Sequence, residues 1–439
     1  MDNFILVTDG RPLAAVEKQL ARYLPGLDAR LFPFSEHQAI LRGALVRALA
    51  IEYPSVPPLR MLTIFGVADL KPIDDTASAM ILAGRDPVDL PPRPGLAAAA
   101  RAASAAVGFD WHLEQTRVPQ AWQRMGGPDA IAWGTTRVGH IDTGYTRHPV
   151  FGFPAPWLDT ANAATFFPTP AGTDDSVLPE PGAGLDNGGG VSAGHGTRIG
   201  STICGHDAVA TGSAFYGVAP KLPTVPVRIT DIVWINHAQR EFAQAVSHLL
   251  AQGVGVINVS LGVFLGAMTR DLRRAVNEAY DAGVILVCAA GNHVNSVVGP
   301  ACLARTVAVA GVTRNDTPWS GSSFGPEVDF SAPAADLRRA SVKRTAKFSY
   351  GFGGDGTSYA AAVTTGAAAL WLTHRATEIS RAYPQPWQRV EAFRSLACRT
   401  ARVPAVWQPG SFGAGILDVA ALLDAALPAA HDLSPASAA

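Results

Sequence analysis

Gly253-Val254-Gly255-Val256-Ile257-Asn258-Val259-Ser260 and Val284-Ile285-Leu286-Val287-Cys288-Ala289-Ala290 are two strand-length runs, rich in β-branched residues and without a charge. Each follows a helical stretch, Ala238–Gln252 for the first and Thr269–Ala282 for the second. A strand that exposes one face to water alternates apolar and polar residues, whereas a strand covered on both faces has no need to. Uncharged strands alternating with amphipathic helices therefore predict a mainly parallel sheet with helices on both sides, the α/β class. Val307–Val312 continues the series and Thr136–Ile141 begins it. In such sheets the chemistry gathers at the carboxyl ends of the strands, where Asp142 falls.

Upstream the pattern differs. Phe4–Val7 reads as a short strand and Pro12–Leu24 as a helix, with Leu13, Val16, Leu20 and Leu24 at helical spacing. Ala29–Phe34 suggests a second strand, His37–Ala50 a second helix and Arg60–Val67 a third strand. Together they predict a small α+β domain over residues 1–75. The proline-rich run Asp86 to Gly95 and the alanine-rich Leu96–Val107 mark a linker over 76–109. A large domain over 110–427 follows, then a tail over 428–439 whose small residues predict a flexible end.

Composition narrows the function. Of 439 residues, 48% are hydrophobic and 16% charged, which suits a large core and argues against a disordered or nucleic-acid-coating chain. A net charge of −1 supplies no field that would draw the chain to nucleic acid or an anionic membrane. Arg338, Arg339, Lys343, Arg344 and Lys347 lie close together and read as a solvated loop. Cys204, Cys288, Cys302 and Cys398 are widely spaced, have no CxxC among them and read as buried thiols, a disulfide between two of them being the other reading. No run approaches the ~20 apolar residues of a membrane span. The first residues lack the basic, apolar and small-residue regions of an export signal, so the expected location is cytoplasmic, and secreted only if a leader has been removed.

Three segments carry the chemistry: His140-Ile141-Asp142-Thr143-Gly144, Gly194-His195-Gly196-Thr197 and Gly356-Thr357-Ser358-Tyr359-Ala360. A hydroxyl needs a base to take its proton, and the base needs a carboxylate to orient it and stabilise its charged form. Taken singly, Asp142 is an ordinary strand-end aspartate, His195 an ordinary helix-start histidine and Ser358 an ordinary helix cap. Taken in order, Asp–His–Ser is the order of subtilisin. The helix that Ser358 opens, with Ala360, Ala361, Ala362, Gly366, Ala367, Ala368 and Ala369, belongs in a core.

Over roughly residues 110 to 425 the chain resembles the subtilase family of serine peptidases. The runs Ser320 to Pro333 and Gly413 to Asp418 support the same alignment. The resemblance implies a subtilisin-like three-layer fold, with Asp142, His195 and Ser358 as triad and Asn292, after Ala289-Ala290-Gly291, as oxyanion donor. It implies that Ser260-Leu261-Gly262 and Ala289-Ala290-Gly291 form the two walls that receive a protein or peptide substrate. Their small residues suggest room for a sizeable side chain, and neither wall carries an acid to select Lys or Arg. Three positions depart from the family's pattern: Arg198 replaces a second histidine, Tyr359 a methionine and Ala362 a proline. The expected activity is that of a serine endopeptidase with no cofactor in the bond chemistry. The alternatives are a catalytically silent binding protein and a peptide ligase or macrocyclase that uses the same acyl-enzyme.

Many subtilases carry an N-terminal propeptide that blocks the groove, and residues 1–75 have a suitable size and pattern. A permanent accessory domain is the other reading. Many subtilases also bind calcium, and Asp174, Asp175, Asp186 and Asn187 offer oxygen ligands, although their spacing has no order and a solvated acidic loop is the simpler reading.

Overall fold

The structure, a computed structural model, describes residues 3–23, 30–33, 37–43, 45–47, 58–62, 67–73, 110–167, 194–210, 213–230, 233–236, 238–263, 268–294, 296–342 and 348–439. The linker, the acidic stretch holding Asp174, Asp175, Asp186 and Asn187, and Lys343, Arg344 and Lys347 lie outside the described residues.

The N-terminal unit consists of β1 (Asn3–Thr8), α1 (Leu13–Tyr23), β2 (Leu31–Pro33), β3 (Gln38–Arg42), α2 (Pro58–Leu62) and β4 (Val67–Ile73). Its strands form one antiparallel sheet in the order β2-β3-β1-β4. Two expectations are corrected here. The helix expected over His37–Ala50 begins instead as β3, because Ile40 pairs with Ile5 and Leu41 with Phe4. Sheet pairing overrides the helical spacing of the apolar residues. The strand expected over Arg60–Val67 is α2, opened by Pro58, followed by β4 starting at Val67. β4 is an edge strand, the place in a sheet where a proline such as Pro72 is tolerated.

Side chains alternate across a strand, so the sheet has two different faces. Leu6, Ala39 and Leu41 pack on Leu13, Val16 and Leu20 of α1. Ile5, Val7, Ile40 and Ile73 point the other way, into a core shared with Val233, Trp234 and Phe242 of the main unit. Gln38 Nε2 donates to the Trp234 carbonyl at 3.1 Å, and Asn236 Nδ2 to Asp69 Oδ2 at 3.3 Å, across the same contact.

The main unit is built on β5 (Val138–Asp142), β6 (Ala164–Thr165), β7 (Thr224–Arg228), β8 (Val256–Val259), β9 (Ile285–Ala289), β10 (Val307–Val312) and β11 (Phe330–Pro333). These seven strands form one sheet in the order β11-β10-β9-β8-β5-β7-β6, every pairing parallel. Four helices matter to the site: α3 (His195–Cys204), α4 (Gln239–Ala251), α5 (Arg270–Asp281) and α6 (Thr357–His374). Val256, Ile285, Val287, Val307 and Val309 pack toward α3 and α6. Their strand neighbours Ile257, Leu286, Cys288, Ala308 and Ala310 pack toward α4 and α5. The uncharged runs are thus buried on both faces, and the three-layer α/β architecture expected from them is what forms.

Residues 357–372 of α6 are all buried. Small residues let it lie close to its neighbours: a Cβ on Gly366 would come within 2.6 Å of Val218. Tyr359 is fully buried, and its ring lies against Gly354, where a Cβ would be 2.7 Å from Tyr359 Cζ. The tyrosine that departs from the family pattern is accommodated by a missing side chain opposite it.

Two further expectations change. The tail has a defined path: Ala436 N donates to the Tyr280 hydroxyl at 2.8 Å and Ala439 N to Asn277 Oδ1 at 2.9 Å, both on α5. Its backbone groups find partners on a helix face that sequence alone does not bring near it. Arg338 is buried and not solvated, donating to the Ser213 and Ala214 carbonyls at 2.8 and 3.0 Å. All four cysteines are free thiols, Cys204 and Cys288 fully buried. Among the described residues, no helix is long and apolar enough to cross a membrane.

Candidate active site

Asp142 is the last residue of β5, at the carboxyl end of a central strand. His195 is the first residue of α3, on the loop side of the same sheet end. The glycines around the histidine have a steric reason. Gly194 precedes the helix at φ 76°, and a Cβ on Gly196 would overlap the Gly144 carbonyl oxygen. The threonines of the two motifs tie the segments together. Gly196 N donates to Thr143 Oγ1 at 3.1 Å, and Thr146 N to Thr197 Oγ1 at 2.9 Å.

These ties hold the histidine against the carboxylate: His195 Nδ1–H donates to Asp142 Oδ1 at 2.7 Å, with both side chains buried. The same oxygen accepts the Thr143 N–H at 2.7 Å. The second oxygen, Oδ2, lies 3.3 Å from His140 Nε2. A carboxylate only accepts, so His140 carries its proton on Nε2. His140 and Asp142 share a strand face because they are two residues apart, and Gly200 on α3 leaves room for the His140 ring, with Nδ1 3.5 Å from the position a Cβ would take. Burial would raise the Asp142 pKa, but charge interaction with His195 and hydrogen bonds from His140 and His195 outweigh it and hold the carboxyl well below its usual range. The motif containing His140 was legible in the sequence, and its i, i+2 spacing to Asp142 is the signal that assigns it a place at the site.

Ser358 stands in the first turn of α6, which packs against α3. Its hydroxyl donates to the Ser260 carbonyl at 3.2 Å. Ser260 Oγ donates to the Ser358 carbonyl at 3.0 Å and accepts from Asn258 Nδ2 at 2.9 Å, while Asn258 Oδ1 accepts from Thr365 Oγ1 at 3.0 Å. A chain of buried polar groups therefore fixes the Ser358 turn to the end of β8.

Asn292 is oriented by Thr357. Its Oδ1 accepts from Thr357 N and from Thr357 Oγ1, both at 2.9 Å. A backbone N–H only donates, so the amide oxygen must face Thr357 and the NH₂ group is turned away from it. Gly291 N donates to Thr357 Oγ1 at 3.1 Å and closes the turn.

Ser260, Leu261, Gly262, Ala289, Gly291, Asn292 and Ser358 line one cavity. Ala290, the remaining wall residue, does not. It points into the core shared with α4 and α5, opposite to Ala289, because consecutive strand residues alternate. Val298, which sequence reading passed over, lines the cavity, and so do Ile5, Pro72 and Ile73 of the N-terminal unit. Among the described residues, no group of three His, Cys, Asp or Glu side chains is arranged to hold a metal ion.

The fold resembles solved proteases. A structure of MycP1 with its N-terminal propeptide removed matches with TM-score 0.54 and 22% identity, covering 72% of this chain and 98% of that one. A protease of Pseudoalteromonas arctica matches with TM-score 0.55 and 23% identity, covering 72% and 96%. In sequence, the thermostable alkaline protease of Halalkalibacterium halodurans is 31% identical over 52% of this chain and 54% of its own length. Thermitase of Thermoactinomyces vulgaris is 34% identical over 32% and 50%, and subtilisin BL of Lederbergia lenta 28% over 59% and 82%. The chain thus spans about half the length of the first two relatives. A family model described as the subtilase family matches residues 135–415, the span that holds the whole parallel sheet, the Asp142–His195 pair and the Ser358 helix turn. The chain belongs to the subtilase family.

Proposed function

We propose that this chain is a serine endopeptidase acting on protein or peptide substrates through Ser358. The observation that carries the reading is the 2.7 Å bond from His195 to a buried Asp142, built beside a serine in the first turn of a core helix. A neutral imidazole whose Nδ1–H is held by a carboxylate presents Nε2 as a base. Rotation of the Ser358 hydroxyl from the Ser260 carbonyl toward that nitrogen starts the reaction. Ser358 Oγ bonds to the scissile carbonyl carbon as its proton passes to His195. Asp142 stabilises the imidazolium, and the negative oxygen is met by Asn292 and the Ser358 backbone N–H. His195 then gives the proton to the departing amine. Water repeats the sequence on the acyl-enzyme and frees the acid. These side chains supply every proton transfer without a cofactor. His140, bonded to the outer oxygen of Asp142, is a positioning residue.

The N-terminal unit fits a groove-covering role. Its edge strand β4 carries Pro72 and Ile73 to the cavity that Ser358 lines. Propeptide and permanent cover predict different masses, which one experiment separates. Intact mass is measured on the full chain and on Ser358→Ala, each with and without a fluorophosphonate. One adduct on the wild type and none on the variant supports the nucleophile. A wild type cut after Ile73 beside an uncut variant supports a propeptide. No adduct on the full chain or on protein trimmed of its first unit would replace the peptidase by a silent binding protein.

A further inference from the structure

The two cavity walls leave the sheet as neighbours. β8 and β9 are paired in register, with Val259 opposite Cys288. At their carboxyl ends, Ser260–Gly262 on one side and Ala289 and Gly291 on the other flank a gap that Ser358 and Asn292 also line. A substrate side chain next to the attacked carbonyl must enter this gap. The glycines of the walls suggest depth, but the space they leave is already taken. Val298 N donates to the Ala290 carbonyl at 2.9 Å, which seats the valine along one wall. A Cβ on Gly291 would lie 2.8 Å from Val298 Cγ1, and a Cβ on Gly262 would lie 2.9 Å from Val298 Cγ2. The isopropyl group thus bridges the walls, one methyl against each glycine, and is itself buried. With Ile5, Pro72 and Ile73 of the N-terminal unit also lining it, what is left is a cavity of about 40 Å³, against roughly 150 Å³ for an engineered cavity that takes benzene. Among the described residues no Asp, Glu, Lys or Arg side chain lines it, and His293 is its one titratable ring.

We infer that Val298 is the specificity-determining floor of the primary pocket and limits the residue on the acyl side of the scissile bond to a small uncharged one: glycine, alanine or serine. The inference rests on the peptidase reading above and adds a substrate class to it. It corrects the expectation that small wall residues make room for a large side chain, since those glycines accommodate the valine.

The test uses the full chain. Active sites are counted by fluorophosphonate labelling of Ser358, which needs no peptide side chain. Chromogenic peptides that differ only at the acyl-side residue (Gly, Ala, Val, Leu, Phe) are then compared by kcat/KM in the wild type, Val298→Ala and Val298→Gly. The wild type is expected to favour Ala over Phe by about tenfold or more, and Val298→Gly to raise the Phe-to-Ala ratio by about 10- to 200-fold, the range a few methylenes command in an apolar pocket. Val298→Ala should fall between. The wild-type series is decisive alone if Val298→Gly loses its fold. A labelled wild type that prefers Phe overturns the inference and leaves the peptidase reading standing. A ratio unmoved in both labelled variants also overturns it, and would place the restriction on Ile5, Pro72 and Ile73 at the mouth. Absence of labelling on both the full chain and protein trimmed of its first unit removes the peptidase reading, and the inference with it.

Discussion

The two sheets of this molecule solve burial in opposite ways. The seven-stranded parallel sheet has a helix layer on each face within its own unit. The four-stranded antiparallel sheet has α1 on one face only, and its other face is covered by Val233, Trp234 and their neighbours in the main unit. The larger sheet is therefore covered within its own unit, whereas the smaller one leaves Ile5, Val7, Ile40 and Ile73 uncovered if it comes away. A unit that depends on its partner to cover one face of its sheet is suited to a cover over the groove.

The sharpest break is in the larger unit. Ser358→Ala should lower kcat by about 10⁶-fold, a loss known from subtilisin itself, with an unchanged far-ultraviolet spectrum. Loss of activity accompanied by loss of fold would mean that the larger unit is not complete without its polar network. Asn292→Ala should cost about 10²–10³ in kcat with little change in KM, again a magnitude that comes from subtilisin. A change confined to KM would make Asn292 a substrate contact and nothing more.

The smaller unit is tested by neighbouring residues on opposite faces. Leu41→Ala should destabilise the N-terminal unit itself by about 2–5 kcal/mol, seen as faster proteolysis of that unit everywhere. Ile40→Ala should instead weaken its hold on the main unit, seen as higher peptidase activity of the uncut chain. Equal behaviour of the two variants would erase the distinction between the faces.

The smallest effect concerns His140. His140→Phe should lower kcat about tenfold, since a hydrogen bond to a charged group is worth about 1.5–3 kcal/mol and only part of it reaches the transition state. The same variant has a pH signature. The Asp142 carboxyl is held low in the folded chain, so the stability it contributes is full above the ordinary aspartate value near about 4 and is lost as pH falls through its depressed native value. Removing His140 takes away one cause of the depression, and the acid limb of thermal stability should move to higher pH. An unmoved acid limb would reduce His140 to packing.

Much of the larger unit was legible because each feature had one cause. Charge-free runs could only be strands buried on both faces. Asp142, His195 and Ser358 sat in glycine-containing motifs because backbone crowds backbone there, as the overlap at Gly196 makes plain. The smaller unit was read less well. Residues 38–42 carry apolar side chains at spacings that satisfy a helix or a strand, and pairing with β1 decides between them. Of the expected wall residues, all but Ala290 line one cavity, and the direction of Ala290 depends on where β9 ends. Val298 and the tail were missed because their partners are distant in sequence.

By itself, then, the sequence determined the class of sheet, the order of the Asp142, His195 and Ser358 motifs and the glycines that let His195 approach Asp142, since these follow from local sterics and from hydrophobic runs buried between helix layers. Tertiary structure alone decided which face of the N-terminal sheet is lent to the groove, that His140 shares the Asp142 carboxylate, and that Val298 fills the space between two glycines. Each of these is a matter of what lies opposite a residue, and proximity across the fold is set by packing of the whole chain.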